Sequence, residues 1–289
     1  MKFLAVAKKD FRDAVQSRAL WSLVAVFVVL TVISAYAFAE APELFGGPGD
    51  PTFEGLLFFT AAVTALFVPL AAIIVCYKSL AGERELGSIK LLLSLPATRR
   101  DVFVGKVLGR SLVIATALGV GVLVGLGVGA ALLGTVDFPA LLVFVAVTLG
   151  FALVYTSIMV SLSAVTGSTV RATTYAIGYF VVFELLWDVV PLGVLYVVEG
   201  FTLPTTVPDW LVTVAMVSPA TAYFSAMTAL LPETASAPED APEAGVGVDP
   251  GLDYGEAFFT QPEMGVLFLA LWFVVPLAVG YYRFDRADL

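Results

Sequence analysis

Two carboxylic acids, Glu184 and Asp188, lie four residues apart inside an otherwise apolar run of the sequence. This spacing places both side chains on one face of a helix. Near the middle of a bilayer an ionised carboxylate is costly, so such a group is protonated, paired or in contact with water. Two interpretations stand. The pair forms a pathway-lining or proton-linked site, or it forms a buried polar contact that fixes helix packing.

Several enzyme classes require residues that this chain lacks. It contains no His, which excludes His-dependent triads, histidine metal sites and the His-Glu-x-x-His protease helix. Its one cysteine, Cys76, forms neither an internal disulfide nor a Cys-x-x-Cys site. The sequence also has no Gly-x-x-x-x-Gly-Lys-[Ser/Thr] phosphate loop. We therefore expect no cofactor or metal in this chain, and any ATP hydrolysis would take place in a second polypeptide.

The composition predicts that the chain lies in a membrane. Hydrophobic residues make up 60% of its 289 positions and charged residues only 13%, which is too apolar for an ordinary soluble domain. About 20 apolar residues cross the hydrocarbon layer as a helix, and continuous apolar runs without alternation argue against a barrel. We predict an all-α transmembrane domain of six spans, at residues 20–39, 55–77, 111–134, 138–165, 173–198 and 264–282.

The distribution of charge predicts the orientation of these spans. All 15 Lys and Arg residues lie in four stretches: 2–18, 78–110, Arg171 and 283–286. Cations next to spans stay in the cytoplasm, so both termini are expected inside a plasma membrane. The loop 199–263 then lies outside. It carries carboxylates without cations, and its acidity fits either a salt-adapted organism such as a halophilic archaeon or the plain exclusion of cations from the outer side.

Two further segments are predicted to associate with the membrane without crossing it. Residues 1–18 combine apolar positions at helical spacing with Lys8, Lys9 and Arg12, which is typical of an interfacial helix on the inner leaflet. Residues 210–231 are apolar, but a seventh span would place Arg283 and Arg286 outside. This segment is therefore an interfacial or re-entrant element, or a short hairpin in the outer leaflet, broken at Pro219.

The largest inner loop, residues 78–110, predicts two short helices joined at a proline. Leu86, Ile89, Leu92 and Leu93 share one helical face, and Pro96 ends that helix. Thr98 or Asp101 then begins a second helix that continues into the third span. We call residues 78–98 the elbow. It belongs to the one inner loop large enough to dock a partner protein.

The third span carries Gly121, Gly125 and Gly129 at four-residue spacing. Small residues on one face allow two membrane helices to approach closely. The spacing predicts a tight helix contact, either within one chain or between two.

The elbow and the start of the next helix resemble the conserved loop of ABC-2-type transporter permeases, through Glu83-Arg84-Glu85-Leu86-Gly87-Ser88, Leu91 to Pro96 with Thr98-Arg99-Arg100, and Gly105-Lys106. The six-span permeases that include the nitrous-oxide reductase maturation subunit are the most similar group. The resemblance implies an exporter made of two permease protomers, identical or paired, with two ATP-binding subunits that hold ATP and Mg²⁺, and it implies no nucleic-acid partner. Drugs, lipids, peptides, sodium and a sulfur species are all compatible with this family.

The resemblance also implies that the elbow is a coupling helix seated in a groove of the ATP-binding subunit. A charged cluster beside a glycine suits such a surface, because charges can pair across it while the glycine permits close approach. The alternative is a solvated helix start with acids near its positive end. The residues assigned to coupling are Glu83, Arg84, Glu85, Leu86, Gly87, Ser88, Ile89, Leu93 and Pro96.

Two other function classes remain open from the sequence. One is a secondary transporter driven by an ion gradient through Glu184 and Asp188, although no inverted repeat is evident between the halves of the chain. The other is a membrane assembly factor with the same fold. Co-purification of an ATPase distinguishes the permease from the secondary transporter.

Overall fold

The computed structural model describes residues 2–45, 51–90, 97–187, 189–198, 200–201, 209–231 and 261–287. Every regular element in these residues is helical, and the predicted all-helical class is confirmed there. Most of the predicted outer loop 199–263 lies outside the described residues.

The helices follow the apolar runs of the sequence. They are α1 (Lys2–Val15), α2 (Arg18–Phe45), α3 (Phe53–Cys76), α4 (Ala81–Glu85), α5 (Arg99–Leu133), α6 (Phe138–Val165), α7 (Thr169–Phe180), α8 (Val189–Val198), α9 (Asp209–Met216), α10 (Pro219–Leu230) and α11 (Met264–Asp285).

Local signals in the sequence set several of these boundaries. The side chains of Thr52 and Asp137 accept hydrogen bonds from backbone N–H groups in the first turns of α3 and α6, as N-cap residues do. Gly134 ends α5 with a φ of 71°, a left-handed conformation that glycine adopts without steric cost.

Five helices are long and apolar enough to cross a membrane, namely α2, α3, α5, α6 and α11. The predicted fifth span, residues 173–198, is instead a bent pair. A π-helical turn at Val181–Leu186 follows α7, and the axis bends by 53° before α8. Pro191 explains the position of the break, since it has no N–H for the carbonyl of Trp187 and its ring crowds that carbonyl. Counting the bent pair as one span gives the six predicted.

The centre of the bundle is α5, which packs against α1, α2, α3 and α6. Helix α6 also packs against α3, α10 and α11. The largest fully buried side chains fill the space around α6 and the ends of α10 and α11. They are Tyr155, Tyr223, Phe144, Phe151 and Phe284.

Helices α9 and α10 form a hairpin that enters the bundle. The break at Val217–Ser218 contacts α11, where the indole of Trp272 donates to the carbonyl of Val217 at 2.6 Å. Trp272 is eight residues into α11, or about 12 Å at the helical rise. Tyr223 of α10 is fully buried and shares a hydrogen bond with Thr148 of α6. The described part of this segment is thus packed against α6 and α11.

One end of the bundle carries the cations, and we call it the basic end. It consists of α1, the elbow, the first turns of α5 and α7, and the last turn of α11. The apolar face of α1, expected to contact lipid, packs on α5 instead. A Cβ atom on Gly105 would lie 2.6 Å from Val6, and one on Gly109 would lie 2.8 Å from Asp10.

Candidate functional site

The elbow begins where α3 ends, and a serine on α6 fixes its direction. The Ser163 hydroxyl donates to the carbonyl of Tyr77 at 2.8 Å and accepts from the N–H groups of Leu80 and Ala81 at 3.2 and 3.0 Å. These backbone groups are those that a break between two helices leaves unpaired. Ser163 is itself buried, so it pins the start of α4 to α6.

Each charged residue of the predicted coupling cluster contacts its own chain. Glu83 forms an ion pair of 2.6 Å with Lys106. Arg84 donates to the carbonyl of Ala164 at 3.1 Å, and Glu85 accepts from the N–H of Thr169 at 2.8 Å. Hydrogen bonds from Thr169 hold the pKa of the Glu85 carboxyl below its usual range. The cluster is therefore neither a simple solvated helix start nor a set of charges reserved for a partner.

The ion pair at Glu83 belongs to a larger buried cluster. Lys106 also contacts Asp10 at 2.8 Å, and the Asp10 carboxylate contacts Arg110 at 2.9 Å. The side chains of Asp10 and Lys106 are only 6% and 8% exposed. Arg110 donates further to the carbonyl of Val75 at 3.0 Å. Two acids and two bases thus neutralise one another between α1, α3, α4 and α5.

Beyond the charges, the elbow presents an apolar residue to the outside. Leu86 is 84% exposed, whereas Ile89 is 1% exposed and packs in the core. The predicted apolar docking face is therefore split, and only Leu86 is accessible in its described part. Ser88 donates to the carbonyl of Glu83 at 3.3 Å. Leu93 and Pro96 lie outside the described residues.

Gly87 follows Leu86 with a φ of 69°, and among the described residues a Cβ atom there would meet nothing within 4 Å. The left-handed turn explains the glycine within the chain. The open space beside it leaves room for another molecule to approach the backbone.

The second end of the elbow, at Thr98, is also held in place. Thr98 and Asp101 form a reciprocal capping box at the start of α5, which satisfies backbone donors of the first turn. The Arg99 guanidinium donates to the carbonyls of Phe284, Asp285 and Ala287. These carbonyls lie at and just beyond the end of α11, where the regular hydrogen bonding of the helix stops. Arg99 thus ties the start of α5, which directly follows the elbow, to the last helix.

Comparison with known proteins identifies the family. The family model described as ABC-2 family transporter protein matches residues 4–289. The chain belongs to the ABC-2 family. Two relatives carry the name probable ABC transporter permease protein NosY and come from Pseudomonas aeruginosa and Stutzerimonas stutzeri. They are 29% and 28% identical to the chain over 214 residues, which cover 71% of this chain and 75% of each relative.

With the family established, the chain is a multi-pass membrane permease of the ABC-2 type, and the resemblance noted at the elbow is confirmed at the level of the family. Its membrane-spanning helices and its assignment to ABC transporters are consistent with a plasma-membrane protein.

The predicted intramembrane carboxylate of the permease, Glu184, lies in the π-helical turn and accepts a hydrogen bond from the hydroxyl of Tyr155 on α6. Aromatic rings surround this contact. Tyr179 stacks on Phe183 and meets Trp272 edge-on. Asp188 lies outside the described residues. The geometry therefore joins the bent helix to the core of the bundle at Glu184.

The tight helix contact predicted for Gly121, Gly125 and Gly129 is formed within one protomer. A Cβ atom on Gly121 would be 2.6 Å from Phe27, and one on Gly125 would be 2.3 Å from Thr31. On Gly129 it would be 2.2 Å from Leu56. The Thr31 hydroxyl donates to the carbonyl of Gly121 at 2.6 Å. This part of α5 is thus a seat for α2 and α3.

The sequence did not mark Asp10 or Ser163 as residues of the site, and it marked Arg99 only as part of the family motif Thr98-Arg99-Arg100. Asp10 had one available signal, because it lies between Ala7 and Ala14 on the otherwise apolar face of α1. A charge in that position requires a buried partner. No comparable signal marked Ser163, and the motif did not reveal the partners of Arg99, since both residues bond to backbone groups more than 80 residues away.

Proposed function

We propose that the protein is the permease subunit of an ATP-driven exporter and that its elbow docks a separate ATP-binding subunit. The observation that carries this proposal is Leu86, an apolar side chain 84% exposed on a segment held at both ends by the bundle. Because Leu86 lies at the basic end, outside the predicted spans, its apolar surface would gain free energy by being buried against a protein partner. The sequence pattern around it resembles the coupling loop of the family.

The orientation of the permease supports the same arrangement. Lys8, Lys9, Lys78 and Arg171 are exposed at the basic end, and cations flanking spans favour the cytoplasm. We place this end and both termini inside the plasma membrane. The elbow then faces the compartment that contains ATP, and the acidic segment 199–263 faces outward.

Within the elbow, residues divide into a docking surface and a set of braces. The docking surface consists of Glu85, Leu86, Gly87 and Lys90, of which Gly87 is half-buried and the others exposed. Glu83, Arg84, Ser88 and Ile89 brace it from behind. A braced surface loses little conformational freedom on binding, which favours affinity.

The division of labour follows from the residues present. ATP and Mg²⁺ would be held by the partner, since this chain has no phosphate loop. Closure of two ATP-binding subunits would displace the two elbows of a pair of permeases. The spans would then rearrange and open a path to the outside. In this scheme the permease contributes no catalytic residue.

The first test measures affinity at Leu86. The permease is co-expressed with its candidate ATP-binding subunit, and binding of the purified proteins is measured in detergent. Leu86→Asp should weaken binding roughly 10- to 100-fold, since burying a leucine is worth about 1.5–3 kcal/mol. Asp13→Lys, also a charge change at an exposed site of the basic end, should bind like the wild type. Equal affinity for both variants would contradict the docking surface.

A second variant pair tests the role of Gly87. Gly87→Asn should preserve the fold, because asparagine tolerates the left-handed conformation, but its side chain should obstruct the partner. A permease that folds and still binds as the wild type would show that Gly87 serves only the turn.

A further inference from the structure

The buried ionic cluster connects parts of the permease that are distant in sequence. Asp10 comes from α1, Glu83 from α4, and Lys106 and Arg110 from successive turns of α5. Lys106 is the shared member, with its ammonium group 2.8 Å from Asp10 and 2.6 Å from Glu83. The ammonium therefore joins the elbow to α1 through a single atom.

Burial distinguishes this cluster from ordinary surface ion pairs. Exposed pairs contribute little because water and salt screen them. Here the side chains of Lys106 and Asp10 are almost fully buried, so neutralising one partner leaves the other charge without its counterion in a poorly solvated place. The position of Asp10 is also determined by α5, because Gly109 has no side chain and lets Asp10 approach the helix backbone closely.

The other attachments of α4 are of a different kind. Ser163 of α6 accepts from a backbone N–H of the elbow, and Arg84 donates to a backbone carbonyl of α6. Glu85 accepts from a backbone N–H at the start of α7. The contacts of Lys106 with Glu83 and Asp10 differ in that both partners are charged, so removing one charge leaves the other without its counterion. Among the described attachments of α4, the ion pair is therefore the one to Lys106 of α5, which in turn holds Asp10 of α1.

We propose that Lys106 is a positioning residue that makes the elbow, α1 and the first turns of α5 move as one rigid unit. The inference rests on the proposed function, since the unit matters when an ATP-binding subunit displaces the elbow. A displacement of the elbow would then be passed to α2 through the contact of α2 with Gly121 and Gly125 of α5. It would also reach α3 directly, because the elbow follows α3 in the chain.

Hydrogen exchange of the full chain in detergent, without any partner, tests the rigid unit. Asp10→Asn should accelerate exchange in the elbow, and Glu83→Gln should accelerate it in α1. Each increase should be roughly tenfold, the size expected when a hydrogen bond to a charged group is lost. Lys106→Arg should keep the protection of both segments. Asp13→Asn, on the exposed side of α1, should change neither. Acceleration confined to the substituted segment would overturn the proposal.

Both substitutions keep the size of the side chain, and thermal unfolding establishes that each variant is folded. If Asp10→Asn does not fold, Glu83→Gln alone tests the proposal. An unchanged rate of hydrogen exchange in α1 of that variant would overturn it.

A second experiment follows the unit in the complex with the ATP-binding subunit. Spin labels at Lys9 and Lys78, both exposed, are introduced in a Cys76→Ser background. The distance between them should be the same with and without ATP in the wild type, and it should change with ATP in Asp10→Asn. A change in the wild type would overturn the rigid unit. Failure of the wild type to bind the ATP-binding subunit would instead count against the proposed function, while the exchange result still decides the inference.

Discussion

Glu184 shows how one residue can satisfy the constraints of a membrane interior. Its carboxylate accepts from the buried hydroxyl of Tyr155, and the π-helical turn places it there. A π turn adds a residue to the helix and re-aims the side chains around it. The contact connects the bent helix to α6, which favours the packing interpretation of the acidic residue over the proton-linked one.

Replacing Glu184 separates these two interpretations. Glu184→Gln should keep the thermal stability of the permease, because the amide oxygen still accepts from Tyr155. Glu184→Leu should lower the free energy of unfolding by about 1–3 kcal/mol, because the buried hydroxyl of Tyr155 then has no acceptor at this position. The midpoints of thermal unfolding in one detergent provide the comparison. A Gln variant that folds normally but no longer supports ATP hydrolysis by the reconstituted pair would indicate a pathway role.

At the scale of elements, α5 is organised by small residues. Gly105 and Gly109 seat α1, and Gly121, Gly125 and Gly129 seat α2 and α3. The sequence singled out the second group because it lies in an apolar span, where small residues have a known use. The first group lies in a charged loop segment, and its partner α1 could not be deduced from spacing alone.

Two neighbouring glycines of α5 provide a matched test of this seat. Gly125→Ala should lower stability by about 1–3 kcal/mol, because its methyl group would overlap Thr31 and force α2 away. Gly127→Ala meets no atom within 4 Å and should leave stability unchanged or raise it by up to about 1 kcal/mol. Thermal unfolding of the two variants measures the difference. Equal losses would show that α2 does not rest on α5 at this position.

The fifth span shows that a sequence can predict an element without predicting the bend inside it. Its apolar length was evident, and Pro191 was visible within it. A proline in a membrane helix can be tolerated as a mild kink when neighbouring groups satisfy the freed carbonyl. The size of the bend depends on the π turn and on contacts with α6, which the sequence does not encode locally.

For the whole molecule, the predictable and unpredictable parts divide along physical lines. Composition and hydropathy determine the helical class and the number of apolar runs, because the bilayer imposes length and backbone pairing on every span. The motif around Glu83 to Ser88 identified the family. Glu83 points inward and Leu86 is exposed only because α1, α5 and α6 assemble around the elbow. The sequence alone therefore could not show which residues of the elbow face a partner and which face the bundle.

The topology of the whole chain has a direct test. Single cysteines at Asp50 and Ala241, in a Cys76→Ser background, should react with an impermeant maleimide in intact cells. A cysteine at Lys90, which is exposed at the basic end, should react only after the membrane is permeabilised, because translocating the flanking cations is unfavourable. Labelling of Lys90 in intact cells would contradict the assignment of both termini to the cytoplasm.

The central claim is that the elbow of this ABC-2 permease touches an ATP-binding subunit. Site-specific photocrosslinking from position 86 tests it most directly, in cells that co-express both proteins. Leu142, an equally large residue that is 71% exposed on the first turns of α6, provides the matched control position. We predict a light-dependent adduct between the ATP-binding subunit and the permease labelled at position 86, and none from position 142. A co-purifying complex that yields no adduct from position 86, or the same adduct from both positions, would contradict the account.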